Sequence, residues 1–200
     1  MTDAHDNEHH DHEHEHHHEH TLAYPDAVAQ FRADKDAYFK GSPHSPIPVD
    51  EREAFSGLPY FAVDERLYFD DLRLQPYEGG EPTSFQIPTS DNQLRPAKRA
   101  GVLRFELDGE SRQLTAYTFD NAPSDGSLFV PFLDATSGTE SYGAGRYLDL
   151  EPEEDGTYIL DFNLAYHPTC VYDPRYSCPL TPAENRLPVR IEAGERLPAA

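Results

Sequence analysis

The chain has no tryptophan, one methionine and only two cysteines in 200 residues. Two cysteines cannot build the multi-bridge framework of a small secreted scaffold. They also lack zinc-knuckle spacing. Seven residues separate Cys170 from Cys178, where a knuckle has about two to four. Long apolar runs are missing too, since no window approaches the roughly 18 apolar residues of a membrane span. The N-terminus shows no basic region followed by an apolar stretch, so no signal peptide is expected and the expected address is the cytoplasm. Lysine is scarce: Lys35, Lys40 and Lys98 are the only three, and the other bases are arginine. There is no serine-nucleophile elbow, no HExxH helix, no dinucleotide fingerprint and no calcium loop. A familiar hydrolase or oxidoreductase mechanism therefore has no motif to stand on.

What is present is acid. Thirty-seven Asp and Glu stand against 16 Lys and Arg, a net charge of −21. The first 20 residues hold seven of those acids and no base, so the remaining 180 residues carry 30 acids against 16 bases. Concentrated salt tolerates such a surface, because it screens self-repulsion and carboxylates hold hydrated cations. The expected source is a salt-loving organism. The same charge argues against nucleic acid and anionic membranes as partners.

Residues 1–20 contain nine histidines interleaved with the seven acids. Such a segment cannot bury a core and reads as a disordered tail. Neutral imidazoles beside carboxylates suit a divalent transition metal, Zn or Ni, held loosely by His9, His10, His12, His14, His16, His17, His18 and His20. Residues 21–200, at a 37% apolar content for the whole chain, read as a single β-rich domain.

That domain opens with the best helical pattern in the chain. Tyr24, Val28, Phe31, Tyr38 and Phe39 recur at helical spacing, with Pro25 and Asp26 at the start and Lys40 and Gly41 at the end. The aromatic stripe is expected to be core. Ser42-Pro-His-Ser-Pro-Ile-Pro48 is a rigid connector with His44 solvated. From Leu58 onward short strands alternate with turns. The expected strands are Tyr60–Val63, Leu67–Phe69, Leu72–Tyr77, Ser84–Ile87, Val102–Leu107, Gln113–Phe119, Leu128–Leu133, Tyr158–Phe162 and Val189–Ile191. Asp108-Gly109 marks a hairpin. Closely spaced strands without intervening helices mean antiparallel pairing. The expected fold is mainly β: an antiparallel barrel-like sheet or sandwich with the N-terminal helix packed on it.

The unusual polar residues gather between Asp134 and Glu195. Asp161 and Asn163 lie on one strand face, where they can bind a ligand or simply face solvent. Tyr142-Gly-Ala-Gly-Arg146 lacks the Lys-Ser/Thr of a phosphate loop. Arg146 either pairs with a carboxylate in a tight turn or grips an anion. Cys170 and Cys178 admit a disulfide, a metal site completed by His167 or Asp161, or two buried free thiols. The leading expectation is a polar pocket lined by Tyr142, Arg146, Asp161, Asn163, Tyr166 and Arg186 that takes a small molecule or a metal ion. One alternative is a hydrolytic enzyme with Asp161 or His167 as base and Arg146 stabilising an anion. The other is a structural protein whose motifs lock loops.

Several of these stretches form an ordered set: Phe31-Arg-x-x-Lys-Asp36, Phe132-x-Asp-x-Thr-Ser-Gly138, Ser141-Tyr-Gly-x-Gly-Arg-Tyr-Leu148, Asp161-Phe-Asn-x-Ala-Tyr166, Cys178-Pro179, Glu184-Asn-Arg-Leu187 and Ile191-Glu-Ala-Gly-Glu195. Over roughly residues 28–197 the chain resembles the uncharacterised family called domain of unknown function 1684, in a salt-adapted, haloarchaeal-type form. The resemblance implies a place for a site and no reaction. Where that family usually reads Tyr-Asn-Pro, this chain has Tyr166-His167-Pro168, so a family-wide site would accommodate asparagine at His167.

Overall fold

A computed structural model describes residues 22–120 and 124–198. The tail of residues 1–20, with the metal reading of its histidines, lies outside the described residues. The chain enters through helix α1 (Tyr24–Gly41), with Pro25 in its first turn beside Asp26 and with Lys40 in its last. The face it turns inward is not the expected aromatic stripe. Val28 and Phe39 are buried, but Phe31 and Tyr38 are 43% and 48% exposed. The inward face instead runs through Tyr24, Val28, Arg32, Lys35, Asp36 and Phe39, positions that share one side of a 3.6-residue period. Its polar members all find partners on the body of the protein. Tyr24 Oη donates to Asp161 at 2.8 Å. Arg32 donates to the carbonyls of Phe61 and Asn163. Lys35 Nζ lies 2.6 Å from Glu195 Oε1, and Asp36 accepts the Leu58 N–H. A search for apolar periodicity does not see a helix docked this way.

Among the described residues seven strands follow: β1 (Tyr68–Leu72), β2 (Ser84–Pro88), β3 (Leu94–Leu107), β4 (Glu110–Phe119), β5 (Leu128–Phe132), β6 (Arg146–Leu150) and β7 (Tyr158–Asp161). β1 and β7 form a two-stranded sheet, and β2-β3-β4-β5-β6 a five-stranded one. All pairings are antiparallel. The fold is thus mainly β with one N-terminal helix. The barrel-like expectation is corrected: the large sheet is open, with β2 and β6 at its edges and no pairing between them. The Asp108-Gly109 hairpin forms as expected, with both residues at positive φ (55° and 75°) between paired Leu107 and Glu110, as a type I′ turn requires.

Two expected strands are absent. Tyr60–Val63 and Val189–Ile191 contribute no strand, only the isolated Tyr60–Glu195 bridge between their neighbourhoods. Their backbone groups are spoken for elsewhere: Arg32 takes the Phe61 carbonyl and Arg146 takes that of Ile191. Leu72–Tyr77 is reduced to an isolated antiparallel bridge, Gln75 to Val102, after β1 bends at Asp71 (φ 52°). Conversely, β6 was hidden behind the glycines of Tyr142–Arg146.

The main core lies between the two sheets. Leu103, Phe105, Leu114, Val130, Phe132 and Leu148 of the large sheet meet Leu160 and Phe162 at the end of β7. Phe162 stands edge-on to Phe132 at a centroid distance of 5.0 Å, a favoured aromatic geometry. A smaller cluster of Phe39, Ile47 and Leu58 seats the far end of α1.

Candidate functional site

The motif residues divide into a buried polar lattice and a groove above it. The lattice is built on Arg146, the first residue of β6, which is fully buried. Its guanidinium donates to the carbonyls of Ile191 (2.8 Å), Glu195 (3.1 Å) and Ala193, and to Asp134 Oδ1 (3.3 Å). Burial lowers its pKa and Asp134 opposes that shift. An arginine keeps its proton in such a setting. Asp134 in turn accepts from the N–H groups of Thr136 and Ile191 and from the hydroxyls of Thr136 and Ser137. One ion pair therefore ties the irregular C-terminal segment to β6. The glycines beside it are there for space. A Cβ on Gly145 (φ 102°) would meet the Phe132 carbonyl at 2.5 Å, and one on Gly194 (φ 72°) would meet the Ala165 carbonyl at 2.4 Å.

Glu195 forms the second node. Besides Lys35, it accepts from Tyr172 Oη at 2.6 Å and from the His167 N–H at 2.7 Å. His167 is 3% exposed. Its Nε2 accepts the Tyr142 N–H at 3.2 Å, which assigns the proton to Nδ1, on the side facing Glu195. Burial pushes its pKa down to about 4, against the upward pull of Glu195. The third node is Asn163, whose amide holds Asp64 O, Tyr24 Oη and Asp161 while its own carbonyl accepts the Asp64 N–H. Asn185 works the same way on the sheet. It accepts from Thr115 N and donates to the carbonyls of Thr115 and Pro131, clamping β4 to β5.

The groove opens beside this lattice, between α1 and the β6–β7 side of the molecule. It encloses about 600 Å³. Leu148, Leu150, Ile159, Leu164 and the exposed ring of Phe31 give it an apolar floor, with Tyr68 and Tyr166 at the walls. Asp149, Glu151, Glu153 and Asp161 line it, and no Lys or Arg does. Tyr166 Oη is hydrogen-bonded to Asp149, which fixes that carboxylate over the groove. Burial raises the Tyr166 pKa further, so its proton stays on.

Of the six expected pocket residues, only Asp161 and Tyr166 reach this groove. Arg146 and Asn163 belong to the lattice. Arg186 is exposed, and its backbone bridges Leu133. The Tyr142 side chain lies beside Cys170 instead. Cys170 and Cys178 are adjacent free thiols, with Cys170 N 3.3 Å from Cys178 Sγ. Among the described residues no group of three or more His, Cys, Asp and Glu side chains is placed to hold a metal ion. His167 or Asp161 therefore does not complete a metal site with the cysteines. Sequence reasoning missed Asp149, Glu151 and Tyr68. Asp149 could have been found as the single outward position of a strand that otherwise reads as buried (Arg146–Leu150).

The chain belongs to the family described as protein of unknown function (DUF1684), whose model matches residues 53–196. It is also similar to the solution NMR structure of an uncharacterized protein from Haloarcula marismortui. The two are 41% identical with a TM-score of 0.64, over 86% of this chain and 93% of that one. No curated protein matches the chain. The neighbour's organism accords with the acid-rich composition. The family model begins after α1, so the helix that closes one side of the groove lies outside the matched segment.

His167 sets an expected pH response. Its folded pKa of about 4 lies below the ordinary 6.5, so the folded state favours the neutral ring. That contribution is complete above pH 6.5 and is lost as the pH falls towards 4. It amounts to about 3 kcal/mol at full extent. His167→Asn is expected to flatten urea-unfolding stability between pH 6.5 and 4 relative to the unsubstituted protein. Equal slopes in that window would show that the ring titrates normally.

Proposed function

We propose that this is a small-molecule-binding protein whose ligand is an organic cation with an apolar arm, seated in the groove between α1 and β6–β7, and that it works in the cytoplasm of a salt-adapted cell. The groove carries this reading. It has the volume of a ligand site, an apolar floor, aromatic walls and a lining in which every charged group is acidic. An ammonium group over Tyr68 gains cation–π attraction, as Lys35 Nζ does over the Tyr166 ring at 4.7 Å, and Asp149 stands fixed by Tyr166. The apolar arm matters because molar salt weakens the charge term and leaves the floor contacts intact. The acidic surface disfavours nucleic acid and anionic membranes, and no helix among the described residues is long and apolar enough to cross a membrane.

The test is a titration with hexyltrimethylammonium, followed by amide NMR. The amides of Leu148–Glu151 and Ile159–Leu164 are expected to shift with this cation and not with hexanoate. Asp149→Asn is expected to weaken binding several-fold, within the roughly tenfold that 1.4 kcal/mol represents. No response to millimolar cation would remove the reading.

The hydrolytic alternative has less support. Asp161 is engaged by Tyr24 and by Asn163 N–H, His167 Nε2 by Tyr142 N–H, and Arg146 by three carbonyls and Asp134. A structural role for those motifs is favoured by this mutual pairing, and it is compatible with a ligand in the groove above. For the tail, loose Zn or Ni binding stays the proposal. Removing residues 1–20 is expected to abolish most weak Ni uptake in calorimetry without changing the melting temperature. Equal stoichiometry in both forms would place the ions elsewhere.

A further inference from the structure

The two cysteines of the chain lie against each other, outside both the groove and the lattice. Cys178 is 7% exposed, while Cys170 is half-buried. The Cys170 N–H points at Cys178 Sγ, 3.3 Å away. The Tyr142 phenol lies beside the pair. Both ends of the intervening loop are pinned. Cys170 sits in the short turn Thr169–Val171. Cys178 exchanges hydrogen bonds with Ser90, its N–H to Ser90 Oγ and the Ser90 N–H to its carbonyl. The two cysteines are therefore held in contact on anchored segments.

We propose that Cys170 and Cys178 form a dithiol centre that hydroperoxides oxidise reversibly, with Cys170 the sulfur attacked first and Cys178 the one that resolves it. Cys170 is the more accessible member. The thiolate attacks the terminal oxygen of the hydroperoxide. An S–O bond forms, the O–O bond breaks, and the leaving oxygen departs as water or an alcohol after taking a proton. Cys170 is then a sulfenic acid. The sulfur of Cys178 attacks that sulfur, an S–S bond forms, the S–O bond breaks, and a second water leaves with the Cys178 proton. Two electrons pass from the thiol pair to the peroxide, and an external dithiol returns them. Burial pushes the Cys178 thiol up to about 11, which makes it a poor first nucleophile. The second step is intramolecular between touching groups, and proximity offsets that handicap. Closure would brace the segment that carries Tyr172, whose phenol holds Glu195 and whose ring stands edge-on to Phe39 of α1.

The experiment uses the full chain, reduced and freed of reductant under nitrogen, with one equivalent of hydrogen peroxide. Intact mass is expected to fall by about 2 Da, and both thiols should become unreactive to a thiol reagent in denaturant until dithiothreitol restores them. Cys178→Ser should instead give a dimedone adduct at Cys170, and Cys170→Ser should give none at Cys178. Retention of both thiols in the unsubstituted protein, oxidation of Cys170 to sulfinic acid without a bridge, or a bridge between two chains would each overturn the proposal.

Discussion

Arg146→Met is expected to lower stability by about 3–5 kcal/mol, because it leaves Asp134 charged and buried without its partner. For a chain of this size that corresponds to a fall of roughly 10–15 °C in melting temperature. The methionine nearly fills the volume, so the effect isolates the charge and its hydrogen bonds rather than a cavity. Three carbonyls, those of Ile191, Ala193 and Glu195, lose their donor as well, and each orphaned buried acceptor has its own cost. Changing Asp134 at the same time, as Arg146→Met with Asp134→Leu, should cost less than the sum of the two single changes, since no buried charge is left alone. Thermal and urea unfolding of the three variants decide the matter. A loss under about 1 kcal/mol for Arg146→Met would mean that the ion pair is not the anchor of the C-terminal segment.

The second large effect is that of salt. With a net charge of −21, the folded chain holds like charges within the Debye length at low ionic strength, about 30 Å at 0.01 M, and screens them at about 3 Å in 1 M. The melting temperature should rise by ten degrees or more between those limits in KCl, equivalent to about 3–5 kcal/mol. Arg146–Asp134 is fully buried and salt leaves it almost untouched, so the rise should persist in Arg146→Met from a lower starting point. A melting temperature that is flat across the range would show that the acid excess has no bearing on stability, and would remove the salt-adapted reading.

The parts of this molecule that were legible in the sequence are those governed by local rules. The Asp108-Gly109 hairpin, the bounds of α1 and the absence of α-helices between the strands among the described residues follow from backbone preferences and period alone. The strands that failed, Tyr60–Val63 and Val189–Ile191, have strand-like residues, but side chains remote in sequence use their carbonyls. No local window contains Arg32 together with Phe61, or Arg146 together with Ile191. The site was half visible for the same reason. Asp161, Asn163, Tyr166 and Arg146 stood out by type, but their division between groove and lattice depends on which side of β6 and β7 faces α1. Phe31 shows the limit from the other direction. Its apolar character suggested core, whereas the helix turns Arg32 and Lys35 inward and leaves that ring on the groove.

The polar docking of α1 also orders events in time. Synthesis delivers this helix well before these partners: Tyr24 waits for Asp161 and Lys35 for Glu195, 160 residues later in the second case. With only Val28 and Phe39 buried on it, the helix has little apolar surface to settle early. Contacts of such long sequence separation form late in folding. Its nearer contacts, with Ile47, Leu58 and Phe61, can form early, but Tyr24 and Lys35 wait for residues 161–195, and only then does the groove acquire its second wall.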